Sequence, residues 1–189
     1  MRVEVREAIT FTWLVLAAFY AITAFGAKKP VREESGASRL YHTLLMGTVF
    51  GLLFSQHFRI AQLGLRIVTS PEAAYTGLAL VVAGAAFAIW ARFTLGGNWS
   101  ARVTVKEDHS LVHRGPYRAV RHPIYAGALL AMLGTALAEG EAGCFLAVVL
   151  AFLVWWLKAR MEEEFMTQQF GEKYRHYRRT TRQFIPFLL

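Results

Sequence analysis

Five long stretches free of Asp, Glu, Lys and Arg constrain this chain more than any other feature. They cover residues 8–27, 40–58, 73–91, 124–138 and 142–157, and measure 20, 19, 19, 15 and 16 residues. An α-helix rises 1.5 Å per residue, so a stretch of about 20 apolar residues crosses the hydrocarbon core of a bilayer. No water is available there to satisfy backbone N–H and C=O groups, so the segment must satisfy them itself, as a helix does. The chain is 55% apolar or aromatic by residue and has a mean hydropathy of +0.33, too apolar for an ordinary soluble domain. The expectation is an all-α, integral membrane helical bundle of five transmembrane helices, forming a single domain over residues 1–189. Three spans fall in 1–92 and two in 93–189.

The punctuation between the runs agrees with this division. Residues 1–7 carry two Arg and two Glu; without a positive start, the first run reads as an uncleaved anchor rather than a signal peptide. Residues 28–39 form a polar linker, and 59–71 are mildly amphipathic and suit the interface. Ser70-Pro71-Glu72 predicts a helix start, with Ser as cap, Pro in the first turn and Glu at the positive dipole end. The last two runs are short for lone spans and flank Glu139-Gly140-Glu141, which predicts a helical hairpin. Cys144, the single cysteine, permits no intrachain disulfide and no cysteine-built zinc site, and reads as a small packing residue. No metal is expected.

The net charge of +8 would suggest nucleic acid as a partner of a soluble protein. Here the basic residues lie between apolar runs and act as topology signals, so no nucleic-acid partner is expected. By loop, Lys and Arg number four in 28–39, six in 92–121 and seven in 158–182, or 17 of 21. The other four are Arg2, Arg6, Arg59 and Arg66. This asymmetry predicts an N-terminus outside, with the linker, the 92–121 segment and the C-terminal tail in the cytoplasm.

Two polar clusters stand out on that side. The first is HSLVHRGPYRAVRHPIYAG, residues 109–127. Pro116 and Pro123 restrict the residues before them and lack donors, which predicts irregular, rigid backbone. It could hold a water-soluble ligand against a lipid-phase one, or it could be a positive loop that only orients the protein. The second cluster is Glu162-Glu163-Glu164. On a helix, Lys158 and Glu162 share a face at i,i+4, as do Arg160 and Glu164, and Glu163 points elsewhere. That cluster is either a solvated helix start or an acidic face meeting the basic motif, where a carboxylate could take ribose hydroxyls or a cationic ligand centre.

The run NWS at 98–100, HSLVHRGPY at 109–117, RHPIYAG at 121–127 and EEE…FGEKYRHY at 162–177 together resemble the cofactor-binding half of the isoprenylcysteine carboxyl methyltransferases. The resemblance covers about residues 90–189. It implies a membrane-embedded methyltransferase that uses S-adenosylmethionine and releases S-adenosylhomocysteine. The implied cofactor contacts are His109, Ser110, Leu111, Val112, Tyr117, His122, Pro123, Ile124, Tyr125 and Glu162. Family members hold the acceptor with an Arg four residues before that Glu. Here the position is Lys158, a point charge rather than a planar fork, with Arg160 nearby as a substitute.

Methyl transfer from a sulfonium asks the protein to align two reactants and to accommodate charge that disappears in the transition state. A cytoplasmic membrane boundary allows this, with the cofactor entering from water and the acceptor from lipid. A carboxylate acceptor needs no general base. A thiol or amine would, with His122 the nearest candidate. The expected partners are therefore membrane lipids and a lipophilic small-molecule or prenylated acceptor. Two other classes stay open at this point. One is a nicotinamide-dependent membrane reductase, because sterol reductases carry a similar Arg-His-Pro-x-Tyr element. The other is a non-catalytic scaffold whose basic loops meet anionic headgroups.

Overall fold

The computed structural model describes residues 3–24, 30–33, 36–54, 61–98, 104–106 and 111–185. Five long helices form the body: α1 (Val3–Ala24), α2 (Gly36–Phe54), α3 (Pro71–Leu95), α4 (Pro123–Glu139) and α5 (Ala142–Phe170). A short α6 (Glu172–Thr180) follows. The all-α membrane bundle read from the sequence is thus the observed architecture. The addition is a two-stranded antiparallel ribbon, in which β1 (Pro30–Glu33) pairs with β2 (Thr104–Lys106). Strands this short carry no period-2 signal, and their partners lie some seventy residues apart, so the sequence does not announce them.

Two helix boundaries fall where the local chemistry predicts. Ser70 caps α3, its hydroxyl accepting from the Ala73 N–H at 3.2 Å, with Pro71 in the first turn. Gly140 closes α4 in the left-handed conformation, φ 74°, and α5 starts two residues later. This is the predicted hairpin. Helix α5 joins the last apolar run to the helix expected over the charged tail. It continues without a break for 29 residues, well past the apolar run that ends at 157. Residues 158–170 contain no Gly or Pro and are rich in Lys, Arg, Met, Glu and Gln, so nothing in them stops a helix.

The tightest packing joins α3 to α4. Gly77 faces Gly134 and Gly84 faces Gly127, so closely that a Cβ on any of the four would run into the opposing backbone. Small residues at seven-residue spacing let the two backbones touch. Around this pair, α1 lays Val5, Ile9 and Leu16 against α3 and α4. Helices α2, α4 and α5 share a core of Leu53, Met132, Ala147 and Ala151 in which Cys144 is fully buried. Apolar side chains also cover the outside: Phe11, Leu14, Ile22, Trp90 and Phe93 are each more than half exposed, as suits a surface solvated by lipid. By length and composition α1, α3 and α5 can each cross a membrane, and α4 adds a shorter apolar helix.

The described loops fall at two ends of the bundle. At one end Arg92 ties α1 to α3, donating to the carbonyls of Thr23 (2.5 Å) and Gly96 (2.8 Å). That end also carries the β1–β2 ribbon, residues 111–122 and the distal part of α5. At the opposite end Arg6 pairs with Glu139 at 3.1 Å, and the Ile67 N–H donates to the Gly140 carbonyl at 2.8 Å.

Candidate active site

The segment before α4 is irregular, as its prolines require. A single 3-10 turn (Gly115–Arg118) buries Pro116 and Tyr117, and the Tyr117 carbonyl accepts from the Tyr177 hydroxyl of α6 at 2.6 Å. Burial raises the hydroxyl pKa of Tyr117, Tyr174 and Tyr177 above the ordinary phenol value, so all three stay neutral. The chain then reaches His122, which stands at the N-cap position of α4 without capping it. Its imidazole turns instead towards α5.

There it lies between two carboxylates. Nδ1 is 3.4 Å from Glu162 Oε2 and Nε2 is 3.2 Å from Glu163 Oε1. Burial opposes the charged imidazolium, but hydrogen bonds and charge from Glu162 and Glu163 outweigh it and raise the pKa above the ordinary histidine value. Glu163 is the hub of the arrangement. Besides its contact with His122 it accepts from Arg121 Nε at 2.8 Å and forms an ion pair with Arg178, whose Nε lies 3.0 Å away, and only 4% of its side chain is exposed. Sequence reasoning set Glu163 on another helix face; the structure turns it inward, because Arg121 and Arg178 approach α5 from the flank that Glu162 does not use.

The same contacts fasten the chain after α6 over the site. Arg121 also donates to the carbonyls of Arg178 and Thr181. The N–H groups of Arg121 and His122 donate to the carbonyls of Arg182 (2.8 Å) and Gln183 (3.0 Å). Phe184 is thereby laid against His122, at 5.7 Å between ring centres, and against Phe152 of α5, at 5.8 Å.

An aromatic column runs from the carboxylates into the bundle. His122 stacks on Tyr125 at 5.6 Å and 5°, and Tyr125 stacks on Trp155 at 5.5 Å and 6°. The Tyr125 hydroxyl donates to Glu162 Oε1 at 2.6 Å. The inner side of the same ring, with Trp155 and Ile124, lines an apolar cavity of about 480 Å³ between α1, α2, α3, α4 and α5.

The structure therefore brings His122, Tyr125 and Glu162 into direct contact, with Pro123 buried at the first turn of α4 and Ile124 on the cavity wall. Lys158 lies on the Glu162 face of α5, close enough for their charges to interact. Arg160 does not join this group: it is exposed and rests over the Trp156 ring at 4.9 Å, because two residues along a helix turn a side chain by about 200°. Leu111 lines a separate polar cavity beside α6, and Val112 is half-buried. His109 and Ser110 lie outside the described residues. Sequence reasoning missed Glu163, Trp155 and Phe184. For Trp155 the available signal was its seven-residue spacing from Glu162, which puts both on one face of α5. Phe184 gave none, because its place depends on backbone hydrogen bonds between distant segments.

Comparison with known proteins follows the same residues. The family described as Phospholipid methyltransferase matches residues 73–173. The chain is 31% identical over 120 residues to a probable protein-S-isoprenylcysteine O-methyltransferase of Oryza sativa subsp. indica, covering 60% of this chain and 61% of that one. It is 32% identical to protein-S-isoprenylcysteine O-methyltransferase A of Arabidopsis thaliana, over 59% and 58% of the two chains. These relatives bear out the resemblance read from residues 90–189. The chain spans about three-fifths of their length. Among solved structures it is similar to a eukaryotic intramembrane Ras methyltransferase, isoprenylcysteine carboxyl methyltransferase, with a TM-score of 0.56 and 24% identity over 84% of this chain and 55% of that one. That likeness concerns the fold, which is that of an integral membrane helical protein.

Proposed function

Since the chain belongs to the phospholipid methyltransferase family, whose match covers more than half of it, we propose that it is a membrane-embedded methyltransferase. In this reading it moves a methyl group from S-adenosylmethionine to a lipophilic acceptor, most favourably the carboxylate of an isoprenylcysteine-like compound. One observation carries the reading. Tyr125 donates to the Glu162 carboxylate on its polar side and lines the apolar cavity on the other. A water-soluble and a lipid-soluble reactant can thus meet at one side chain.

The residues present suit such a cofactor. Glu162 takes one donor on each oxygen, keeps 22% of its side chain exposed, and a carboxylate has capacity for further hydroxyl donors. When bound, S-adenosylmethionine supplies an electrophilic methyl on a cationic sulfur. The chain's own part is to bind and to exclude water. Glu162 offers negative charge and acceptor oxygens, and His122 orients that carboxylate from one side while Tyr125 does so from the other. The resemblance assigns Leu111, Val112 and Tyr117, with His109 and Ser110 before them, to the cofactor as well, although Leu111 lines the separate cavity beside α6; Pro123 and Ile124 are assigned to the edge of the Glu162 site. Lys158, on the Glu162 face, is assigned to the acceptor's carboxylate, in low dielectric where such a pair is strengthened. Arg160, turned onto Trp156, is left to the surface. A carboxylate acceptor needs no general base, which agrees with a His122 whose pKa two flanking acids raise against the effect of burial.

We further read α1 to α5 as five spans, with the site end in the cytoplasm, because 17 of the 21 Lys and Arg fall in the loops of that end by sequence. Calorimetry on the detergent-purified protein tests the function. S-Adenosylhomocysteine should bind, NADPH should not, and Glu162→Ala and His122→Ala should each weaken binding by roughly tenfold or more, the loss of one charge-assisted contact. Binding of NADPH in place of adenosylhomocysteine would sink the assignment.

A further inference from the structure

We propose that the open cleft beside α6 binds a phosphate monoester, which bridges α6 to the segment before α4. The site is separate from the Glu162 carboxylate, and the inference does not rest on methyl transfer.

The cleft measures about 1000 Å³. Two pairs of side chains that carry positive charge, or take it up on protonation, line it. His113 and Arg118 come from the segment before α4, and Lys173 and His176 come from α6. All four are exposed, and among the described residues none of these side chains makes a hydrogen bond or an ion pair. The other cations nearby are engaged: Arg121 and Arg178 with Glu163, and Arg175 with Glu172. The last pair decides the sign of the cleft, because Glu172 is the one acid among the described residues that line it. With Glu172 turned to Arg175, the charges of Arg118 and Lys173 stand unopposed.

That sign selects the ligand. The Glu162 site offers a carboxylate and suits a cationic centre, whereas this cleft suits an anion. A phosphate monoester carries about two negative charges near neutral pH and three strong acceptor oxygens. It can therefore accept from the planar Arg118 fork, the Lys173 ammonium and imidazole N–H groups together. A lone carboxylate has one charge and two oxygens and leaves donors unused. Leu111 and Phe170, each half-buried, also line the cleft, which gives the organic body of an ester an apolar wall that a bare phosphate ion would not use.

The position of the cleft defines what binding does. Like charges on its two walls repel until an anion comes between them. An anion held by both walls ties α6 to the 111–118 segment, adding to the bond from the Tyr177 hydroxyl to the Tyr117 carbonyl. Thr181, at the end of α6, lines the same cleft, and its carbonyl accepts from Arg121. Tightening α6 therefore tightens the chain that lies over His122. Because the four groups are exposed, binding should weaken as salt screens them.

Calorimetry of the detergent-purified protein with phenyl phosphate tests the site. Phenyl phosphate should bind more tightly than inorganic phosphate. Arg118→Gln and Lys173→Gln should each weaken it about fivefold or more, while Arg179→Gln, exposed on α6 outside the cleft, should leave it unchanged. In the wild type, phenyl phosphate should slow amide hydrogen exchange across residues 172–181, and in Arg118→Gln it should not. Repeating the titration in nanodiscs separates two sources of the phosphate group. Weaker apparent affinity with phosphatidic acid than with phosphatidylglycerol assigns the cleft to a lipid headgroup, and equal affinity assigns it to a soluble ester. Absence of binding, equal affinity in the wild type and both cleft variants, or binding that leaves exchange in 172–181 unchanged would overturn the proposal. So would displacement of phenyl phosphate by adenosylhomocysteine, which would make the cleft part of the cofactor's own site.

Discussion

A histidine between two carboxylates is a pH-dependent clamp, and its sign can be worked out. The folded pKa of His122 is raised above its unfolded value. Its contribution to stability is therefore fully present below the ordinary histidine pKa, near 6.5, and is lost as pH rises through the higher folded value. Thermal unfolding in detergent should show the wild type losing stability over that upper window, while His122→Asn, which cannot titrate, should give a flatter profile there. Glu163 carries a separate expectation. It shares a buried ion pair with Arg121, whose side chain is 11% exposed, so Glu163→Gln leaves a buried cation short of its partner and should cost about 3 kcal/mol. Glu164, exposed one residue on, should change stability by no more than about 0.5 kcal/mol when made Gln. Equal melting temperatures for the two variants would contradict the hub. His122, Tyr125 and Glu162 were legible in the sequence because a motif spaces them and contact between them needs only α4 and α5 to be neighbours. Glu163 was not: a helical wheel separates adjacent residues by 100°, but it does not reveal that α5 meets His122 from one element and Arg178 from another.

At the scale of elements, the α3–α4 contact makes the sharpest demand. Gly84→Ala places a methyl against the Gly127 carbonyl and the Ala131 backbone, and rigid backbone yields poorly, so a loss of about 1–3 kcal/mol is expected. Gly47 of α2 is the control. Nothing stands within 4 Å of a Cβ built there, so Gly47→Ala should be neutral or stabilising by up to about 1 kcal/mol. Melting curves of the two variants, with adenosylhomocysteine absent, compare them directly. The helices were legible because uncharged runs of this length have one common fate in lipid. The unbroken join of α5 across residue 157 and the β1–β2 ribbon were less so. The first depends on the absence of a stop signal, and the second on a pairing that exists only once α1, α2 and α3 have brought two distant loops together.

For the whole molecule, the sidedness of the loops is the property with the widest consequences. Single cysteines introduced into a Cys144→Ala background report it. A membrane-impermeant thiol reagent added outside intact cells should label Thr69→Cys, exposed near the hairpin end, and spare Gln169→Cys, exposed near the site end. The opposite pattern would invert the proposed orientation and move the cofactor's entry to the other compartment. The hydrogen bonds from residues 121 and 122 to residues 182 and 183 also bear on biosynthesis. A ribosome releases the chain from its N-terminus, so His122 is made long before Phe184, the ring that covers it. Until residues 181–184 emerge, Arg121 has no carbonyl from that segment to hold and the histidine lacks its roof. Helices α1 to α6 are all made before that cover exists, so a nascent chain that stalls short of residues 181–184 presents the helices with His122 uncovered.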